Sequence, residues 1–196
     1  ILRSFLVDFE GGLVTMTDDL VHSSIDIFDR VVKELLPTPS KSHYTFNLRD
    51  LAKVFQGVLM CDPKRVNSRE GLSRLWVHEV RRVFADRFTN QDDHQWLQAI
   101  LHDKVENTFN MIWEEVVPSE RMVYGDFINP DIDYNARVYD DIEDLAKLKL
   151  CVEEYLIEHN AESKQPMPLV MFTDAVEHVA RIARILRQPQ GNALLL

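Results

Sequence analysis

A guanidinium set among free backbone N–H groups at the start of a helix can grip a phosphate. Residues 43–51, His-Tyr-Thr-Phe-Asn-Leu-Arg-Asp-Leu, supply the parts for such a site. Asn47 reads as the helix cap, because its side chain can accept from an orphan N–H of the first turn. Arg49 then lies in that first turn. Leu48, Leu51, Ala52 and Phe55 are expected on the buried face, which puts Arg49 on the opposite side with Lys53 and Gln56. A cation there opposes the helix dipole at a cost of about 0.3 kcal/mol. Together with the free N–H groups, however, it makes an anion site, and a guanidinium binds phosphate in bidentate fashion. On the residues alone two readings stand: Arg49 contacts phosphate, or it is an ordinary exposed arginine paired with Asp50 or with an acid elsewhere.

Other familiar chemistry is missing from the sequence. There is no Gly-x-x-x-x-Gly-Lys-Ser/Thr run and no Gly-x-Gly-x-x-Gly, and the 6 glycines are scattered. His78-Glu79-Val80-Arg81-Arg82 fails the His-Glu-x-x-His zinc pattern because its fifth residue is Arg. No metal site is expected. Cys61 has neither a neighbouring Cys nor a nearby His, so it reads as an idle thiol rather than a nucleophile. The acid pairs Asp92-Asp93, Asp140-Asp141 and Glu153-Glu154 read as helix starts or solvated faces. Arg181, Arg184 and Arg187 are expected on the polar side of a late helix near its C-terminus, where cations are favoured.

The elements that must hold these residues are helices. Apolar spacing predicts six, over about 18–36, 48–60, from Gly71 to about 88, 92–117, 140–159 and 171–187. Pro37 and Pro118 should end the first and fourth. Residues 119–139 read as irregular, and Gln165-Pro166-Met167-Pro168 as a linker. Trp76, Trp96 and Trp113 fall on apolar faces and read as core. The fold class expected is mainly α: a helical bundle flanked by short stubs. The apolar run at residues 1–7 reads as one strand stub, and Leu194-Leu195-Leu196 as the start of a buried strand that continues elsewhere. The chain therefore reads as an excerpt from something longer.

Its 196 residues, 45% apolar and 28% charged, are enough for one ordinary domain or two small ones. A net charge of −10 argues against sequence-independent nucleic-acid binding and against anionic membrane surfaces. No apolar run reaches the roughly 18 residues of a membrane span. Two cysteines are too few for a disulfide framework, so a reducing compartment is the default.

Longer motifs carry a resemblance. Leu35-Leu36-Pro37-Thr38-Pro39-Ser40-Lys41 leads into the Arg49 segment, and Val54-Phe55-Gln56-Gly57 follows it. These residues resemble the third AAA+ module of dynein heavy chains. So do Arg74-Leu75-Trp76-Val77-His78-Glu79, Arg82-Val83-Phe84-Ala85-Asp86-Arg87 and Tyr124-Gly125-Asp126-Phe127. Leu169-Val170-Met171-Phe172-Thr173-Asp174-Ala175-Val176-Glu177-His178 and the run from Arg184 to Leu195 resemble the entry to the fourth module. The Leu-Val-Met-Phe and Glu-His pairs look axonemal, of the inner-arm type.

The resemblance implies a map. Residues 1–16 would end the third module's large α/β subdomain, 17–160 would be its helical lid, and 161–196 would be the linker, first helix and first strand of the fourth module. Arg49 matches the lid arginine that senses the γ-phosphate, called sensor 2. Pro168, Leu169 and Val170 match the loop lining the adenine side of the fourth module, a role that suits flat apolar walls and free backbone. The parent would use ATP or ADP with Mg2+ and would move toward microtubule minus ends, in a ciliary or flagellar axoneme. Its partners would be neighbouring AAA+ modules, microtubules, and intermediate and light chains, with no nucleic acid and no membrane. The excerpt would hold neither phosphate-loop lysine nor Walker B acid, so alone it would bind no cofactor and hydrolyse nothing. The alternative is an autonomous helical interaction module without ATPase activity.

Overall fold

Apolar stripes and caps set the helices, while tertiary contacts decide where several of them stop. The computed structural model describes residues 1–7, 9 and 12–193. Its contacts divide the chain into two units, Ile1–Glu120 and Arg121–Leu196.

The first unit is a helical bundle. A short helix α1 (Leu2–Leu6) and a 3-10 turn (Leu13–Met16) lead into α2 (Thr17–Glu34). Residues 1–7 were expected as a strand stub. A short apolar run carries no period of its own, and the buried Leu2 and Leu6 lie one helical turn apart. Helix α3 (Leu48–Val58) starts at its Asn47 cap as expected. Helix α4 (Arg69–Val83) starts two residues before Gly71, because the Ser68 hydroxyl accepts from the Gly71 N–H at 3.0 Å. A 3-10 turn (Ala85–Arg87) then leads to α5 (Gln91–Asp103).

The single helix expected over 92–117 is broken. It widens into a π-turn at Lys104–Thr108, and Asn110 adopts φ 54° before the short α6 (Trp113–Val116). Burial of Phe109 explains the break. Its ring packs edge-on against Trp76 with centroids 5.1 Å apart, and Arg69 donates to its carbonyl at 3.3 Å. Trp76 in turn donates to Ser24 Oγ at 2.8 Å. Arg74 ties down the end of α6 by donating to the Val116 and Glu115 carbonyls at 2.8 and 3.0 Å. Trp76 and Trp113 are buried, and Trp96 is half-buried with its N–H on Glu34 at 2.8 Å.

In the second unit, β1 (Tyr124–Gly125) pairs antiparallel with β2 (Asp140–Asp141). Two helices follow, α7 (Leu145–Glu162) and α8 (Thr173–Arg187). Val123, Phe127, Ile142, Leu148, Val152, Val176 and Ala180 form the core. Helix α7 starts five residues later than the periodicity suggested, because Asp140 and Asp141 are in the ladder and Asp144 caps the helix. Arg184, expected on the polar side of α8, is buried. Arg187 bonds the Tyr134 and Arg137 carbonyls and pairs with Asp126 at 3.2 Å. Leu194, Leu195 and Leu196, expected as a strand start, lie outside the described residues. Among the described residues, no helix is long and apolar enough to cross a membrane.

Candidate functional site

The first turn of α3 is a full capping box. The Asn47 side chain accepts from the Arg49 N–H at 2.8 Å, and the Asp50 carboxylate accepts from the Asn47 N–H at 3.0 Å. Asp50 is buried and pairs with Arg87 at 3.1 Å. It does not take Arg49 as a partner. Arg49 is exposed, and no described carboxylate pairs with it. Of the two readings that the residues left open, pairing with Asp50 is therefore removed.

The buried face of α3 is rotated from the one expected. Asp50, Val54, Gly57 and Val58 face the bundle. Leu48 is 71% exposed, Ala52 is exposed, and Leu51, Phe55 and Leu59 are only half-buried. Two tertiary contacts turn the helix. One is the Asp50–Arg87 pair. The other is Gly57, where an added Cβ would lie 1.6 Å from Glu79 Oε2, so α4 and α3 meet at a residue without a side chain. Half of the apolar stripe of α3 is left uncovered, and Arg49 stands along its edge with Gln56 and Lys53.

The segment before α3 is fastened to the first turn of α5 and to the 3-10 turn after α4. Lys41 and Tyr44 both donate to Asp93 Oδ2, at 2.6 and 2.7 Å. Burial opposes the charged carboxyl of Asp93, but the hydrogen bonds from Lys41 and Tyr44 outweigh it and hold that carboxyl below its ordinary range. His43 Nε2 sits 2.9 Å from the Arg87 carbonyl, and the Arg87 guanidinium lies over the Phe46 ring at 4.7 Å. These contacts hold the entry to α3, and so the base of Arg49, in one place.

In the second unit, Pro168, Leu169 and Val170 lie in the irregular stretch before α8, where the Leu169 N–H turns back to the Met167 carbonyl at 2.9 Å, and Val170 is 81% exposed. The Asn160 amide anchors that stretch at the end of α7. It donates to the Met167 carbonyl at 2.9 Å and accepts from the Met167 N–H at 2.8 Å. Sequence reasoning missed this anchor, because a two-point amide clamp across seven residues leaves no periodic signal. It also missed Arg121, which holds Asp174 and Glu177 in the first turns of α8 at 3.0 Å each.

Both thiols are buried. Burial pushes the Cys61 thiol from 9.0 up to about 12, and burial raises Cys151 as well.

The bundle with its capped, uncovered α3 defines a class. Residues 20–119 match the family model of the AAA+ lid domain. Residues 167–196 match the model described as the P-loop containing dynein motor region D4. Dynein axonemal heavy chain 1 of Rattus norvegicus is 45% identical over 185 residues, covering 94% of this chain and 4% of the relative. Dynein axonemal heavy chain 6 of Homo sapiens is 40% identical over 197 residues, covering 100% of this chain and 5% of the relative. Dynein axonemal heavy chain 2 of Homo sapiens is 39% identical over 193 residues, covering 97% and 4%. The chain belongs to the dynein heavy chain family. It spans about a twentieth of the length of these curated relatives.

Proposed function

We propose that this chain is the coupling segment between two nucleotide-handling modules of an axonemal dynein motor ATPase, with Arg49 as its phosphate sensor. The observation that carries the reading is Arg49 itself. It is an exposed cation in a capped first turn, without a carboxylate partner among the described residues, at the edge of an apolar stripe that the bundle does not cover.

The residues fit a bound nucleotide's phosphates. Arg49 offers a bidentate charge-assisted donor, and Leu48, Ala52 and Leu59 offer an apolar wall for the large subdomain that would complete the site. ATP or ADP with Mg2+ would supply the phosphoanhydride chemistry. This chain's part is to position the cation, so that its charge reaches the phosphates only when the lid closes. Residues 1–16 would close the third module's large subdomain, 17–160 its lid, and 161–196 would open the fourth module. Pro168, Leu169 and Val170, exposed and held by Asn160, would line the adenine side there. Lid movement would thus be passed to the fourth module as a coupling free energy. Neighbouring AAA+ modules of the same heavy chain are the immediate partners, microtubules the track, and the axoneme the location. The chain by itself should not hydrolyse ATP.

Replacing Arg49 with Ala in the parent motor tests this reading. The variant should fold normally and lose most of the nucleotide dependence that the third site imposes on microtubule gliding. Wild type and variant responding equally to nucleotide would overturn it.

A further inference from the structure

Arg87 touches the Arg49 segment at four places, though it lies on a different element. Its Nη1 pairs with buried Asp50 at 3.1 Å. Its Nη2 donates to the Thr45 carbonyl at 3.4 Å. Its guanidinium plane covers Phe46 at 4.7 Å, and its own carbonyl lies 2.9 Å from His43 Nε2. The residues gripped are 43, 45, 46 and 50, which bracket the Asn47 cap and adjoin Arg49 along the chain.

We propose that Arg87 is the positioning residue of Arg49, fixing the first turn of α3 and therefore the direction in which the Arg49 side chain leaves it. The inference rests on the reading of Arg49 as the phosphate sensor. Arg87 lies in the 3-10 turn (Ala85–Arg87) that follows α4, and α4 packs on α3 where Gly57 meets Glu79. The N-terminal end of α3 is thus held by a guanidinium fork and its middle by a close backbone approach. A fork is suited to this work, because it can serve a carboxylate, a carbonyl and a ring face from one planar group, while an ammonium serves one partner at a time. Asp50 completes the arrangement. Its Oδ2 accepts from the Asn47 N–H as part of the capping box while facing Arg87, so the cap and the clamp share one carboxylate.

The test uses the full heavy-chain motor and reads the affinity for a non-hydrolysable ATP analogue against ADP. The Arg49-dependent part of that ratio is the signal. Arg49→Ala should lower the preference for the ATP analogue about tenfold, the size of one lost charge-assisted contact. Arg87→Lys keeps a cation opposite buried Asp50, so the bundle folds, but it gives up the shared grip. It should lower the preference about threefold. In the Arg49→Ala background Arg87→Lys should have no further effect on the ratio, whereas any loss of thermal stability should be the same in both backgrounds. Asp50→Asn approaches the clamp from its other side and should copy Arg87→Lys, which covers the case in which Arg87→Lys does not fold. If Arg49→Ala lowers the preference while Arg87→Lys and Asp50→Asn leave it unchanged, or add to Arg49→Ala independently, the clamp is wrong and the sensor reading stands. If Arg49→Ala changes nothing, both fall together.

Discussion

Gly57→Ala sets two opposed effects against each other in one substitution. Ala in place of Gly inside a helix is worth about 1 kcal/mol in its favour. The structure places a new Cβ 1.6 Å from Glu79 Oε2, 2.2 Å from its Cδ and 2.8 Å from its Cγ, so the whole carboxylate end has to leave. Glu79 is fully buried and has no solvent to move into. Overpacking costs about 1–3 kcal/mol, and taking a buried carboxylate off its partners about 1.5–3 more. The net expected loss is about 1.5–5 kcal/mol. Trp76, Trp96 and Trp113 all lie in the unit Ile1–Glu120, so tryptophan fluorescence in urea reports that unit alone. Its midpoint should fall by about 1–2 M. In a Glu79→Ala background the obstacle is gone, and Gly57→Ala should become stabilising. A midpoint that is unchanged or raised in the otherwise native chain would refute the close approach as the reason for glycine at this position.

Two further outcomes follow from the ionisable groups. Because the Asp93 carboxyl is held below 3.8 in the fold, its contribution to stability is complete above that value and disappears as pH falls through the lower folded value. Asp93→Asn should therefore cost on the order of 1 kcal/mol at neutral pH, with the difference from wild type vanishing as the pH falls through the lowered folded value in acid titrations followed by fluorescence. The Cys61 thiol, raised from 9.0 to about 12, stays protonated in the fold, so its contribution to stability should be complete below pH 9 and lost as pH rises through about 12. Iodoacetamide at about pH 8 should leave Cys61 unmodified in the native chain and modify it in urea. Native-state labelling at the unfolded rate would contradict the burial.

What the sequence disclosed was local, and what it concealed depended on distant partners. Asn47 announced the start of α3, because a cap needs only its neighbours, and Arg49 was correctly placed at the surface. Which face of α3 is buried was misread. Counting apolar residues favours Leu48 and Ala52, whereas the helix actually turns toward Arg87 and Glu79, a charge partner and a carboxylate that periodicity ignores. The long helix over 92–117 breaks because Phe109 has a place against Trp76, which no window of neighbouring residues encodes. Arg184 looked like a solvated cation near a helix end and lies instead within the second unit's interior. Of the proposed site, Arg49 could be suspected from residue types, whereas Pro168, Leu169 and Val170 came only from the family resemblance. Its supports, Arg87 for the first and Asn160 for the others, became visible only through contacts across 37 and 7 residues.

The most direct test is a cryo-EM map of the parent heavy chain with its third nucleotide site loaded with a non-hydrolysable ATP analogue. The account expects the Arg49 guanidinium at hydrogen-bonding distance, about 3 Å, from the γ-phosphate, with Asp50 still paired to Arg87 behind it. A closed, loaded site in which Arg49 points to solvent while another cation occupies the γ-phosphate would contradict it.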